Sequence, residues 1–169
     1  GLYYGKEHEY YAILCNNIAL LYYYMGDYKK AEPLFFEARE IIRQTKGRQD
    51  PLFAKNSNSL GLLYWEMGNY KDAEKFLLES KRIREKNPGK EHYTYGLTCN
   101  NLGLLYKDKK EYSNAEDMLS LAVLVFGKTL GKENIYYSTA LQNLAVVCNY
   151  QKKIKKADSL YSVVLEISR

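Results

Sequence analysis

Two periods of apolar and polar positions run through this chain. The short one is helical. Cys15, Ile18, Ala19 and Tyr22 are apolar at i, i+3, i+4 and i+7, and Ala31, Leu34, Phe35, Ala38 and Ile41 repeat that spacing further on. Between these stripes stands Gly26, with Gly68 in the same place later, where a residue able to turn left-handed ends a helix. Asp27 and Asn69 follow as N-caps for the next helix. The long period is 42 residues and has no gap: Gly5, Gly47, Gly89 and Gly131 open four repeats, 5–46, 47–88, 89–130 and 131–169. Each repeat predicts two antiparallel helices. The small residues Ala31, Ala73, Ala115 and Ala157 share one position, where two helices must approach closely. Pro33 falls inside a second helix and predicts the loss of one hydrogen bond, a cost of up to ~3 kcal/mol.

A single helix pair cannot bury its apolar stripe, so the repeats are expected to stack into one all-α array spanning residues 1–169. The "GLYY" ahead of Gly5 is expected to be the tail of a preceding repeat, and the whole to be an excerpt of a longer solenoid.

The first helices carry a second face beside the apolar stripe. In the first repeat it consists of Ile13, Asn16, Asn17, Leu20, Tyr23 and Tyr24, again at helical spacing. Its equivalents are Lys55, Asn58, Ser59, Leu62, Trp65 and Glu66, then Leu97, Asn100, Asn101, Leu104, Lys107 and Asp108. The last set is Thr139, Gln142, Asn143, Val146, Asn149 and Tyr150. Stacked repeats would turn the paired amides into ladders. An amide side chain offers a donor and an acceptor, as does each peptide unit of an extended ligand. Each such bond contributes only about 0.5–1.5 kcal/mol net, so the amides would set register. Tyr23, Tyr24, Trp65 and Leu104 would supply the apolar contact on which affinity rests. The alternative is that neighbouring asparagines bond to one another or to backbone and serve the scaffold only.

The residues Leu60-Gly61, Tyr64, Gly68, Tyr70, Ala73 and Leu77 follow an L-G-x-x-Y, G-x-Y, A-x-x-x-[large apolar] pattern. This resembles the tetratricopeptide repeat, over residues 5 to 169. The usual tryptophan is replaced by Cys15, Ser57, Cys99 and Leu141, and the long period is similar to that of kinesin-light-chain repeats and related bacterial arrays. The resemblance implies a right-handed α-α superhelix with the first helices on the inner, concave side. It also implies a protein or peptide ligand in that groove. In related bacterial arrays such repeats precede caspase-like CHAT protease or NTPase domains, neither of which is in this sequence.

Composition narrows the chemistry. Its one oddity is an excess of tyrosine, 18 in all, most of which are read as core: Tyr22, Tyr64 and Tyr106, and Tyr28, Tyr70 and Tyr112 at the start of the second helices. The sequence holds 25 basic and 20 acidic residues, and the net charges of the four repeats are 0, +2, 0 and +3, so no strongly basic domain stands out. The densest basic run, "KKIKK" from Lys152 to Lys156, sits at a turn and is read as solvated rather than as a phosphate or RNA patch. No apolar run approaches the ~20 residues of a membrane span. Cys15 and Cys99 fall at equivalent core positions two repeats apart, too far to pair, and Cys148 at another core position; three free thiols suit a reducing, cytoplasmic compartment. His8 and His92 recur at one repeat position, in the sequence "GKEH", and are read as helix-entry residues. Nucleotide, protease and zinc motifs are lacking. The expectation is therefore a non-enzymatic scaffold with no cofactor or metal. Its partner is a protein or peptide, including a domain of the same parent chain. Rival readings are an architectural or self-associating spacer that regulates a linked catalytic domain, and a helical repeat that contacts RNA. The candidate binding residues are Asn16, Asn17, Leu20, Tyr23, Tyr24, Lys55, Asn58, Ser59, Leu62, Trp65, Asn100, Asn101, Leu104, Lys107 and Asn143.

Overall fold

A computed structural model describes residues 9–168. His8, the "GLYY" segment and the opening Gly5 lie outside the described residues. Within them the helices are α1 (Glu9–Tyr24), α2 (Tyr28–Thr45), α3 (Pro51–Glu66), α4 (Tyr70–Arg84), α5 (Tyr93–Asp108), α6 (Tyr112–Thr129), α7 (Ile135–Tyr150) and α8 (Ile154–Ile167). Two consecutive helices make each of the four pairs the repeat predicts.

The turns inside the pairs share one backbone. Gly26 N–H donates to Tyr23 O and Asp27 N–H to Tyr22 O, and the same two bonds recur at Gly68, Lys110 and Lys152. The residue at this position takes φ of 76° at Gly26, 74° at Gly68, 63° at Lys110 and 61° at Lys152. The left-handed region costs a side-chain-bearing residue roughly 1–2 kcal/mol, so the two lysines are strained where the two glycines are not. Asp27 accepts from Lys30 N–H and Asn69 from Asp72 N–H, as the capping expectation required. His92 plays the same part for α5, its ring accepting from Thr94 N–H, a helix-entry role. Pro33 leaves α2 unbroken because it lies on the exposed side of the helix, where the unbonded carbonyl can meet water.

The described residues divide into two compact halves, on either side of the Asn87–Pro88 junction. The division falls where Asn87 leaves helical geometry (φ −146°, ψ 110°), the extended backbone that a following proline favours.

In the N-terminal half α2 packs against both α1 and α3, and α4 packs on α3. The alanines at the shared position are fully buried, and Gly61 answers them from the first helix. A Cβ at Gly61 would lie 2.6 Å from Leu77 Cγ, so only glycine fits opposite that leucine. Phe35, Leu60, Leu63 and Phe76 form one apolar cluster, and Cys15, Ile42, Phe53 and Ile83 another. Arg39 of α2 runs through the half: its guanidinium pairs with Glu79 of α4 at 2.5 Å, donates to Ser57 of α3 at 2.8 Å and stacks on Phe53.

In the C-terminal half α6 packs against α5 and α7, and α7 on α8. Its core is Tyr95, Cys99, Ala122, Phe126, Tyr137 and Leu141 with their neighbours. Val123 and Val163, which occupy the positions of Arg39 and Glu79, join this core as partly buried aliphatics.

Two expectations need correction. Ile18, assigned to the buried stripe, is 36% exposed, and Leu14 and Leu21 beside it are more so. Their equivalents Leu60 and Leu63 are buried against α2, whereas no described helix covers that side of α1. Tyr70, assigned to the core, is also exposed, and its equivalent Tyr112 stacks on the exposed Tyr150. Part of the tyrosine excess therefore lies at the surface of the turns.

Candidate partner-binding surface

The second face of the first helices is where the candidate residues were placed, and each half presents its own part of it. On α1, Asn17 and Tyr24 are exposed while Leu20 and Tyr23 are half-buried, a graded surface with aromatic edges outward. Tyr24 is 80% exposed and meets Tyr23 edge to face, ring centroids 5.2 Å apart. Burial, reinforced by the nearby carboxylate of Glu66, pushes the Tyr23 phenol up to about 12, so it stays a neutral donor. On α3, Lys55 is exposed and Asn58, Leu62 and Trp65 are half-buried. Ala12, Ile13, Asn16, Asn17, Ile42, Leu52 and Lys55 line a cavity of about 150 Å³ between the opening turns of α1 and α3.

Two residues depart from expectation in this half. Asn16 is 5% exposed, and its side-chain oxygen accepts from the Asn56 amide at 3.3 Å. Ser59 is 7% exposed and donates back to Lys55 O, one turn earlier in its own helix. Neither presents a polar group as an exposed ladder needs. Asn56 is the cause for Asn16. It is fully buried where the other repeats carry Leu14, Thr98 and Ala140, and it binds Phe35 O as well as Asn16.

In the C-terminal half Asn100, Asn101, Leu104, Lys107, Asn143 and Val146 are all partly buried on the corresponding face. The Asn143 amide donates to Asn100 Oδ1 at 3.1 Å, tying α7 to α5. The ladder is thus a bond between neighbouring first helices at this rung, as the scaffold alternative required. Lys107 lies 3.2 Å from the Asp108 carboxylate, which tempers its charge.

The other chemistry is quiet. None of the three cysteines is in a disulfide and all are buried, and burial raises the Cys148 thiol above its ordinary value. Among the described residues no group of three or more His, Cys, Asp or Glu is gathered as a metal site would need, and no helix is long and apolar enough to cross a membrane. In the basic run, Lys153 and Lys156 both bind Glu116 at 2.6 Å, which holds that carboxyl at about 2. Two of its four lysines are therefore spoken for, in keeping with a turn rather than a phosphate site.

Sequence reasoning missed one feature. A cavity of about 830 Å³ opens between α2 and α4, lined by Phe36, Arg39, Arg48, Lys75, Phe76, Arg82 and their neighbours. The periodicity of the second helices marks their core stripe and says nothing of the outer face. The signal was there, in basic and aromatic residues that the C-terminal half does not repeat.

The tetratricopeptide repeat family model matches residues 52–122 and 94–169, and a second tetratricopeptide repeat model matches residues 12–52. The chain belongs to the tetratricopeptide repeat family. Solved structures carry the same fold. BtubC from P. vanneervenii superposes with a TM-score of 0.86 at 19% identity, over 93% of this chain and 63% of that one. A protein of nearly identical TPR-like repeats from Podosopora anserina gives 0.79 at 21% identity, over 98% of this chain and 78% of that one. Aspartyl phosphate phosphatase F from Bacillus subtilis gives 0.83 at 18% identity, over 95% of this chain and 40% of that one. This tetratricopeptide chain thus spans less than two thirds of the BtubC and phosphatase chains, and its likeness to all three is one of fold. No curated protein matches the sequence.

Proposed function

We propose that this tetratricopeptide chain is a protein-interaction scaffold that holds an extended peptide or a partner helix on the second face of its first helices. The observation that carries this reading is the graded surface on α1 and α3. Tyr24 and Asn17 are exposed, Tyr23, Leu20, Leu62 and Trp65 are half-buried, and a small cavity opens beside Lys55. Rigid aromatics of this kind, held by packing and only partly covered, are enriched at hot spots. The bonding of Asn143 to Asn100 supports a division of labour. The Asn16 and Asn100 positions brace neighbouring helices within each half, while in the N-terminal half Tyr23, Tyr24, Trp65 and the exposed Asn17 meet the ligand. The partner is a protein segment, from a separate chain or from the same parent polypeptide.

The test is selection of binders from a peptide library, followed by titration against variants. Tyr24→Ala and Trp65→Ala should each weaken a selected peptide by roughly tenfold or more, the scale of a hot-spot loss of 1.4 kcal/mol. Asn100→Ala should instead lower stability and leave affinity near the parent value. Binding that survives both aromatic substitutions contradicts the proposal.

A further inference from the structure

The cavity between α2 and α4 belongs to the second helices, away from the surface just described. Its lining carries five basic residues and two acidic ones. One of the acids, Glu79, is already bound by Arg39 and Ser57. Arg48, Lys75 and Arg82 are exposed around it, and Lys75 lies over the Phe76 ring, 5.4 Å from its centroid. Phe36 and Leu78 keep 39% and 42% of their surface exposed, and Phe36 meets Phe76 edge to face at 6.1 Å.

The chain contains its own control. In the C-terminal half the positions of Phe36, Arg39, Arg48, Lys75, Phe76 and Arg82 are held by Ser120, Val123, Lys132, Ser159, Leu160 and Glu166. The repeat fold therefore forms without aromatic rings or a basic cluster at this place. Arg39 and Phe76 serve the packing of the N-terminal half, but Phe36, Arg48, Lys75 and Arg82 are exposed and that packing does not account for them.

We infer that this cavity is a second binding site, and that it takes a short acidic peptide segment bearing an apolar side chain. The exposed Arg48, Lys75 and Arg82 match carboxylates, and the exposed Phe36 and Leu78 match an apolar side chain between them. A long polyanion fits less well, because Glu32, Glu37, Glu40 and Glu74 on the same two helices interrupt any basic stripe.

The experiment uses the full chain and a fluorescein-labelled peptide of glutamates around a pair of leucines, read by anisotropy. Saturable binding is expected, weakened by salt because the charges are exposed. Arg48→Glu and Arg82→Glu alter exposed side chains, and circular dichroism checks that each variant is folded. Each should weaken the peptide by about tenfold, as removal of a complementary charge does. Tyr24→Ala and Trp65→Ala should leave this peptide unaffected, which separates the site from the first-helix surface. The inference is overturned if the peptide fails to bind, or if the charge reversals leave it unchanged. It is equally overturned if the first-helix variants abolish binding, if a lysine peptide binds as well, or if an oligonucleotide or polyphosphate competes as strongly as the unlabelled acidic peptide.

Discussion

The two halves solve the same packing problem with different chemistry. Where α2, α3 and α4 meet, Arg39 is bound by Glu79 and Ser57; where α6, α7 and α8 meet, the same positions hold Val123, Val163 and Leu141. Ionic and aliphatic solutions therefore occupy one backbone site. An ion pair taken partly out of water gains little over a well-packed aliphatic pair, but losing one partner strands the other charge. The comparison teaches that the Arg39 network is not needed for the fold as such, though the N-terminal half depends on it once it is present.

The sharpest way to break that comparison is to graft one solution onto the other. Arg39→Val alone should destabilise the N-terminal half by about 2–4 kcal/mol, because Glu79 is left without its cation. The triple change Arg39→Val, Glu79→Val and Ser57→Leu should recover most of the loss. Native-state hydrogen exchange, read separately on α2–α4 and α6–α8, gives both numbers and shows whether the C-terminal half feels the change. A triple variant as unstable as the single one would refute the equivalence.

The turns give a smaller contrast. Gly26 and Gly68 hold positive φ without strain, whereas Lys110 and Lys152 hold it with a side chain. Lys110→Gly and Lys152→Gly should each relieve about 1 kcal/mol of conformational strain. A glycine's entropy cost offsets this gain only in part, so the remainder should appear as slower exchange in α5–α8. Gly26→Lys should act oppositely on α1 and α2.

Smallest is a pH effect confined to the C-terminal half. Glu116 is held at about 2 by Lys153 and Lys156, well below its ordinary 4.5. A carboxyl depressed on folding stabilises the folded state above its unfolded value and loses that contribution as pH falls from about 4.5 towards 2. Both lysines are half-exposed, so the contribution is on the order of 1 kcal/mol. Glu116→Gln should flatten this part of the acid unfolding profile and leave the exchange of α2–α4 unaltered.

How much of this was legible in the chain depended on whether a residue's partners recur. The helix pairs and the buried alanines were legible because four gapless copies agree on them, and the turns at Gly26 and Gly68 because two copies carry glycine there. Ile18 was misplaced because a stripe shows which face is apolar, not whether a neighbour covers it. The fate of Asn16 depended on Asn56, a buried amide found in one repeat only, and no periodic argument foresees an exception. Arg39 and Glu79 are 40 positions apart in different helices, and each looks like an ordinary surface charge until the fold joins them.

The central claim, that the first helices present the binding surface, has a reporter already in place. Trp65 is the only tryptophan in the sequence and lies half-buried on that face. Titration of a library-selected peptide should change Trp65 emission saturably, with the same dissociation constant that calorimetry gives, and Tyr24→Ala should weaken both signals together. Heat of binding with an unchanged Trp65 spectrum, and with affinity intact in Tyr24→Ala, would place the partner elsewhere and contradict the account.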